Sequence, residues 1–413
     1  MKEFQQIEAL INGREIKKAD VIIARLMKLD LPADDMAKLF IFRARTRLLS
    51  GRPDDAIDDL SSAQKLKPEL QTQSDQFLEL WGDAHFSRFE LASVGFADRI
   101  DTSRAQQAYD QILIQNPNYS NIGWIRYQQG RIYLTQNNAI RAEECFHDAL
   151  VSPSHVRYLT AYCYERLGFI AFYEAREIKR ALAFFDKATD TYPHDEDSYW
   201  LVQINILRSR VYNAAGQTDT ALKSAEVALK LASSSHTEKG SLSEAILNIT
   251  ELLSSIQGHD RQALAYLEQF TQQTKRPPGA DVTWSRVYEM RGNAHFSLGQ
   301  YDNAISDYMT SLQFNPDHPW ELSLYQQIAR CQYKKRAYSE AIDSINHLLN
   351  VAKQDGLDVE DFRVYELLGG ALFALKRYYE ATQAYEFALN IVPPNTDYSH
   401  QIRSYYNMAK ELI

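Results

Sequence analysis

Apolar and polar positions along this chain follow a long-period pattern whose clearest marker is a recurring alanine. Each of nine alanines opens an amphipathic run of about a dozen residues, and another such run precedes it. The intervals range from 37 residues, between Ala105 and Ala142, to 49 residues, between Ala56 and Ala105. A period in this range predicts stacked helical hairpins and not one compact core. The nine are Ala56, Ala105, Ala142, Ala181, Ala221, Ala263, Ala304, Ala341 and Ala381.

Residues 285–318 contain the clearest predicted hairpin. Large and small residues at three- or four-residue spacing share one face of a first helix, and a glycine ends that helix. A second helix follows, with another row of residues at four-residue spacing on one face. A proline closes the segment, because proline cannot continue a helix. The residues that carry this pattern are Tyr288, Gly292, His295, Phe296, Gly299, Ala304, Tyr308, Leu312 and Pro316.

Three turns support the hairpins independently of the apolar pattern. A glycine lies five residues before the alanine, and an aspartate lies two residues before it. Glycine is typical of a helix stop, and an aspartate can accept a hydrogen bond from a free N–H at the next helix start. We therefore predict N-caps at the aspartates, and Ser339 could cap in the same way. The turns are Gly51 with Asp54, Gly216 with Asp219, and Gly299 with Asp302.

The segment 285–318 resembles a tetratricopeptide repeat. Gly292, Ala304, Tyr308 and Pro316 match the family's glycine, alanine, aromatic and closing proline, whereas Arg291 stands where the family has leucine. The pattern recurs over nearly the whole chain, at 37–70, 123–154, 161–195, 202–235, 322–355 and 362–395. The resemblance implies an all-α fold, a right-handed superhelical solenoid of about ten helical hairpins with a C-terminal capping helix.

The pattern also divides the chain. Residues 1–36 read as an atypical N-terminal capping hairpin, and 37–235 as repeats with an insertion near 87–103. A degenerate repeat with its joints follows at 236–284, three repeats at 285–395 and the capping helix at 396–413. The apolar residues of the insertion indicate extended helices or a segment folded over the groove, and we favour extended helices. The stretches 233–241 and 275–280 are long loops or joints at which the last repeats could swing.

Charge and composition limit the classes of partner that the chain is expected to bind. The net charge is −9, and the longest run of basic residues is Lys334, Lys335 and Arg336. Nucleic acid and anionic membrane are therefore disfavoured as partners. The first twenty residues show neither a signal-peptide core nor a lipobox-like cysteine, and no stretch approaches the length of a membrane span. We expect a cytoplasmic protein without membrane insertion.

No catalytic motif is present, so we expect no enzyme, no metal site and no cofactor. His85 and His295 occupy equivalent positions in two repeats, which favours a structural role. The acid pair Asp58-Asp59 is expected to face solvent. The three cysteines are expected to be small buried packing residues in a reducing compartment, with metal or redox use as the alternative. They are Cys145, Cys163 and Cys331.

Arginines interleaved with aromatic residues form the best candidate binding site. In the tetratricopeptide family, first helices line the concave surface, and the residue after the small position points into the groove. The alternative is that these arginines pair with acids such as Asp83 or Glu165. The predicted groove residues are Arg45, Phe86, Arg131, Arg166, Phe172, Tyr173, Arg210, Asn293, Phe296, Arg330, Tyr333 and Phe373.

Guanidinium groups pair bidentately with carboxylates, so a protein or peptide partner is expected, with an acidic segment as one candidate. The family's carboxylate clamp is not reproduced. Asn293 matches one of its positions, but Glu289 stands where lysine is needed, and Gln327 occupies an Asn/Arg-type position.

The leading function is a non-catalytic scaffold or adaptor that binds a protein segment in the concave groove. A regulatory sensor is the alternative: its repeats would bind a peptide or small ligand and control a separate effector. A third possibility is self-association through exposed end repeats.

Overall fold

A computed structural model describes residues 2–92, 99–193, 198–234, 239–256, 258–274, 276, 279, 281–316 and 321–413. The described residues form helices and no strands, which confirms the all-α fold class. The chain divides into two compact parts, Met1–Glu196 and Asp197–Ile413, called here the N-terminal unit and the C-terminal unit. None of the described helices combines the length and apolar character that crossing a bilayer requires.

The N-terminal unit is a stack of helices that pack in consecutive antiparallel pairs joined by short turns. Its helices are α1 Lys2–Asn12, α2 Ile16–Leu26, α3 Ala33–Leu49, α4 Pro53–Leu66, the short α5 Leu70–Gln73, α6 Asp75–Leu91, α7 Arg99–Gln115, α8 Ile122–Thr135, α9 Ala139–Val151, α10 Leu159–Phe169 with the π-helical turn Ile170–Glu174, and α11 Ile178–Thr191.

The C-terminal unit repeats this arrangement and ends in a single helix that packs on α21. Its helices are α12 Ser198–Ala214, α13 Thr218–Ser233, α14 Lys239–Ser254, α15 Asp260–Gln273, α16 Val282–Ser297, α17 Tyr301–Phe314, α18 Glu321–Lys334, α19 Tyr338–Gln354, α20 Phe362–Ala374, α21 Tyr378–Ile391 and α22 Asp397–Lys410.

The recurring alanines hold each pair together. All nine are 0% exposed, because each lies where the second helix of a pair crosses its neighbours. In five of the pairs, an aromatic ring four residues after the alanine packs on a glycine of the first helix. At Gly292, for example, an added Cβ would lie 2.7 Å from a ring carbon of Tyr308, and at Gly369 2.6 Å from one of Tyr385. Only glycine permits this approach, which explains the small positions of the sequence pattern.

The turns between paired helices contain the predicted glycine stops but not the predicted N-caps. Gly51, Gly216 and Gly299 have positive φ angles of 68°, 73° and 74°, as a helix stop requires. The aspartates, however, are not N-caps. Each second helix begins two residues earlier than expected, at Pro53, Thr218 and Tyr301. Asp54, Asp219, Asp302 and Ser339 therefore lie in the first helical turn, where a carboxylate favours the helix dipole.

The irregular segments are only partly described. Helix α6 runs to Leu91 and α7 starts at Arg99, so most of the 87–103 insertion is helical. Residues 93–98 lie outside the described residues, and with them the question whether the segment folds over the groove. Parts of both joints also lie outside the described residues, namely 235–238 of the first joint and 275, 277, 278 and 280 of the second.

Candidate functional site

The predicted arginines of the N-terminal unit are engaged within the unit. The Arg131 guanidinium lies 4.9 Å from the centroid of the Phe86 ring and 5.6 Å from that of Tyr127. It also donates to Gln128, at 2.9 Å, and pairs with Glu90. These contacts match the alternative of internal pairing, and they leave Arg131 little freedom to hold a partner.

Arg166 and Arg45 show the same tendency. Arg166 lies 3.8 Å from Glu165, and that carboxylate raises the pKa of the guanidinium. Arg45 donates to Asn12 at 3.2 Å, while its Nη1 atom is buried without a hydrogen-bond partner. The predicted row of open arginines is therefore largely an internal network in this unit.

The aromatic residues predicted beside these arginines differ from one another. Phe86 is only 1% exposed and packs on Phe89 between helices, so the expectation that it lines an open groove is wrong. Helix α8 covers this position, because Ile125 and Ile132 pack in the same cluster and Arg131 closes over the ring. Phe172 and Tyr173 lie in the π-helical turn with ring centroids 4.7 Å apart, and both are half-buried.

Two acids on α6 form a cluster that the sequence pattern did not reveal. Asp83 accepts hydrogen bonds from the Tyr109 hydroxyl at 2.7 Å, the Trp124 indole at 3.1 Å and the Gln128 amide at 3.1 Å. Burial raises the pKa of Asp83, and these three donors oppose the rise.

Glu79 is four residues from Asp83 and therefore lies on the same face of α6. It accepts from the Tyr119 hydroxyl at 2.7 Å and the Asn121 amide at 2.8 Å. Burial, together with the nearby Asp83 charge, raises the pKa of Glu79 to about 7. Near neutral pH the cluster therefore holds less than its full negative charge.

The raised pKa of Glu79 predicts a pH-dependent stability. The folded state binds this proton more tightly than the unfolded chain, so stability is fully present at low pH and falls as pH rises through about pH 5 to 8. Glu79→Gln removes the titration and should flatten this slope, with a higher melting temperature than the parent at pH 8. Thermal melts followed by circular dichroism from pH 5 to 8 test this. Glu8→Gln, at an exposed position, is the control, and equal slopes for parent and Glu79→Gln would contradict the assignment.

The predicted residues of the C-terminal unit are more open. Arg210 is exposed. Asn293 accepts a 2.7 Å hydrogen bond from the Tyr308 hydroxyl, so it also serves the hairpin. Arg330 is exposed, donates to Gln327 at 2.8 Å and lies 4.9 Å from the centroid of the half-buried Phe296 ring.

Three predicted residues meet in one pocket. Arg330 and Tyr333 from α18 and Phe373 from α20 line a cavity of about 700 Å³, whose third wall comes from α22. First helices of successive hairpins supply the first two walls, as the family resemblance implies for a concave surface. We call this cavity the C-terminal pocket. Its remaining lining residues are Gln326, Gln327, Lys334, Asp361, Arg363, Glu366, Leu367, Gly370, Tyr385, Tyr398, Tyr405 and Met408.

The C-terminal pocket combines apolar walls with a few charges. The Asp361 carboxylate accepts from the Gln326 amide at 2.8 Å and from the Arg363 backbone N–H, so it is already satisfied. Burial raises the pKa of Glu366, and the nearby Arg363 charge opposes this rise. Among the described residues, no acid lies within ion-pair distance of Lys334 or Arg363. The pocket therefore offers aromatic surface and three cations, Arg330, Lys334 and Arg363, that form no ion pair among the described residues.

The wall from α22 is the part that sequence reasoning missed. Residues 396–413 were expected only to cap the solenoid, and Ile402 and Ala409 do pack into the core. Tyr398, Tyr405 and Met408 follow at spacings of seven and three, so they form a second face of the same helix. That separate apolar spacing was the available signal.

The other candidate chemistry is structural. His85 is buried with Nδ1 2.6 Å from Asp101, and burial lowers its pKa. The cysteines are buried, and burial raises the pKa of Cys163 to about 12, which disfavours a reactive thiolate. Asp59 was expected to face solvent, but it is buried between Arg43 and Arg47.

Comparison with known proteins agrees with the fold. Residues 285–354 match the family model described as tetratricopeptide repeat. The human RNA polymerase II-associated protein 3 is 29% identical over 117 residues, which are 28% of this chain and only 16% of that protein. The chain therefore contains tetratricopeptide repeats at residues 285–354.

Solved structures resemble it at low sequence identity. The apo quorum sensor NprR from B. thuringiensis is 13% identical with a TM-score of 0.57, covering 76% of this chain and 86% of its own. The apo form of RapI is 14% identical with a TM-score of 0.53, covering 91% and 97%. The C-terminal part of a repeat protein from Cytophaga hutchinsonii is 15% identical with a TM-score of 0.51, covering 67% and 98%. At such identities the likeness concerns the fold.

Proposed function

We propose that this chain is a non-catalytic interaction scaffold that binds a segment of another protein in the C-terminal pocket. The observation that carries the proposal is the pocket itself: a cavity of about 700 Å³ with aromatic side chains from four helices and cations that form no ion pair among the described residues. Binding sites are typically concave and mostly apolar, with a few polar groups that fix orientation. A cavity of this size accommodates one or two large side chains of a bound segment.

The exposed apolar side chains of α22 support this proposal. Tyr398 is 52% exposed and Met408 49% exposed, and both line the pocket. Burying them under a partner would remove apolar surface from water, which is the main driving force of association. The buried residues of α22 already anchor the helix. The Tyr398 ring centroid lies 5.5 Å from that of the Phe362 ring, yet half of the Tyr398 surface stays exposed for a partner, as does half of Met408.

The test begins with a phage-displayed random peptide library selected on the full chain. Enriched peptides are synthesised with a fluorescein label, and their affinity is measured by anisotropy. The double variant Tyr398→Ser with Met408→Ser should weaken binding by roughly tenfold or more, since each buried large apolar side chain contributes about 1.5–3 kcal/mol. Both sites are half exposed in the free protein, so the fold should tolerate the change.

The matched control is Tyr379→Ser with Met309→Ser. It removes the same two residue types at exposures of 65% and 42%, on second helices outside the pocket. It should bind the enriched peptides as the parent does. Equal affinity for parent and pocket variant, or no peptide enriched at all, would refute binding at this pocket.

The sensor alternative makes a different prediction, because it requires a ligand-dependent change of shape. The joints on which it depends, 233–241 and 275–280, fall partly on residues outside the described ranges. The fold likeness to the quorum sensor NprR motivates the alternative. Small-angle scattering with and without an enriched peptide separates the two: an unchanged profile favours the scaffold.

A further inference from the structure

A concentration of basic residues adjoins the C-terminal pocket and is not explained by the pocket or by the fold. The turn after α18 contains the longest basic run of the chain, Lys334 to Arg336, and the turn after α20 contains Lys376 and Arg377. Helix α22 ends at Lys410. All of these positions are exposed.

These positions lie at one end of the pocket. Lys334, Phe373 and Met408 each stand at or near the C-terminal end of their helix, and all three line the same cavity. The C-terminal ends of α18, α20 and α22 therefore lie together. We call the cations Arg336, Lys376 and Lys410, next to this end, the basic edge.

Some basic residues of this region are already paired. Lys335 forms an ion pair with Asp302, and Arg377 forms one with Glu380. Across the described residues, no acid lies within ion-pair distance of the basic edge, and Lys410 has only a ring contact, 5.6 Å from the Tyr406 centroid. The basic edge therefore presents charge to the outside.

Helix stability does not require this charge. A cation at a helix C-terminus favours the helix dipole by only a few tenths of a kcal/mol to about 1 kcal/mol. The equivalent turns of three other hairpins, at 136–138, 215–217 and 298–300, contain no basic residue at all. Arg336 and Lys376 even have positive φ angles of 64° and 61°, a conformation that glycine adopts at lower cost.

We propose that the segment bound in the C-terminal pocket is bipartite: an aromatic or long aliphatic side chain enters the pocket, and a neighbouring cluster of carboxylates lies along the basic edge. This inference rests on the proposed function, because the anchor uses the same pocket. Charge complementarity identifies the acidic part, and the net charge of −9 makes this local positive patch unusual on the chain.

A protein segment fits better than a nucleic acid. A phosphate backbone is normally gripped by a basic stripe along a groove. Here the cations stand at one end of an aromatic pocket that also contains Asp361 and Glu366. A peptide with an apolar anchor and an acidic end matches both parts of the surface.

The test uses the peptides enriched on the full chain, acetylated and amidated so that only side chains supply negative charge. The edge variant is Arg336→Asn, Lys376→Asn and Lys410→Gln, since asparagine tolerates the positive φ angles. The control removes the same charge elsewhere, with Lys17→Gln, Lys28→Gln and Lys65→Gln at exposed positions.

We expect enriched peptides to contain clustered acids beside an aromatic or aliphatic anchor. At low salt the edge variant should bind them roughly tenfold more weakly, because three charge pairs at the rim are lost. High salt should erase most of this difference, because exposed charges are screened. The control variant should bind as the parent does.

Enriched peptides without clustered acids, or an edge variant that binds as the parent does, would overturn this inference while leaving the pocket intact. If the peptide affinity does not depend on Tyr398 and Met408, the proposed function is refuted instead. A fluorescein-labelled single-stranded oligonucleotide of equal charge is the last probe. If it binds as tightly, with the same dependence on the basic edge, the assignment to a protein segment is wrong.

Discussion

Replacing Arg291 with methionine is expected to destabilise the C-terminal unit by about 3–5 kcal/mol, the usual cost of removing one partner of a buried ion pair. Asp307 is buried on α17, and Arg291 reaches it with two hydrogen bonds, from Nε at 2.8 Å and Nη2 at 2.5 Å. After the substitution the carboxylate retains, among the residues that the structure describes, only the His295 ring, 3.6 Å away. Hydrogen exchange by mass spectrometry, on peptides from α16 and α17, measures the loss.

The chain contains its own matched control for this prediction. Arg43 and Asp59 occupy the equivalent positions of an earlier hairpin, but there Arg47 is a second partner, 2.6 Å from the carboxylate. Arg43→Met should therefore cost less, about 1–3 kcal/mol. The double variant Arg291→Met with Asp307→Leu removes both charges and should recover most of the loss. Equal protection in parent and Arg291→Met would show that the pair does not stabilise the hairpin.

Arg291 also illustrates how far the sequence pattern carries. The nine alanines and their spacing predicted the helical pairs, because small residues at a crossing leave a periodic trace. The same pattern treated Arg291 as a departure from the family's leucine. Its reason is a buried aspartate sixteen residues later, a partner that the spacing of apolar residues does not mark.

The sequence also predicted the turns incompletely, for a related reason. Gly51, Gly216 and Gly299 were recognisable stops, but Asn137, Arg336 and Lys376 adopt the same left-handed conformation at equivalent positions. An arginine or lysine in the sequence does not predict the left-handed conformation, since these residues adopt it only when the hairpin imposes it. The predicted N-cap positions were wrong because aspartate is also favourable in the first helical turn.

The candidate site was predictable only where an inward position remained open. Arg330, Tyr333 and Phe373 were predicted from their repeat positions and meet in the C-terminal pocket. Arg131 was predicted by the same rule, yet it closes over Phe86 and pairs with Glu90. The rule gives the direction of a side chain, whereas its partners come from neighbouring helices that one repeat does not contain.

Asp83→Ala is the second substitution with a large expected effect, a loss of about 2–4 kcal/mol in the N-terminal unit. The aspartate is the common acceptor of the Tyr109 hydroxyl, the Trp124 indole and the Gln128 amide, which belong to three different turns of α7 and α8. Each donor left without a partner in a buried place costs about 1–3 kcal/mol, and water offsets part of this sum. Urea unfolding followed by tryptophan fluorescence, together with hydrogen exchange on α6 to α8, measures the change.

Asp83→Asn separates the acceptor from the charge. The C-terminal unit already uses this chemistry: Asn293 stands after Gly292 as Asp83 stands after Gly82, and it accepts from Tyr308 at 2.7 Å. Because burial raises the pKa of Asp83, the folded state disfavours the charge that asparagine removes. Asp83→Asn should therefore be at least as stable as the parent at pH 8, whereas Asp83→Ala also removes the hydrogen-bond acceptor and should be less stable than the parent. If both variants lose stability equally, the negative charge and not the accepted hydrogen bonds stabilises this cluster.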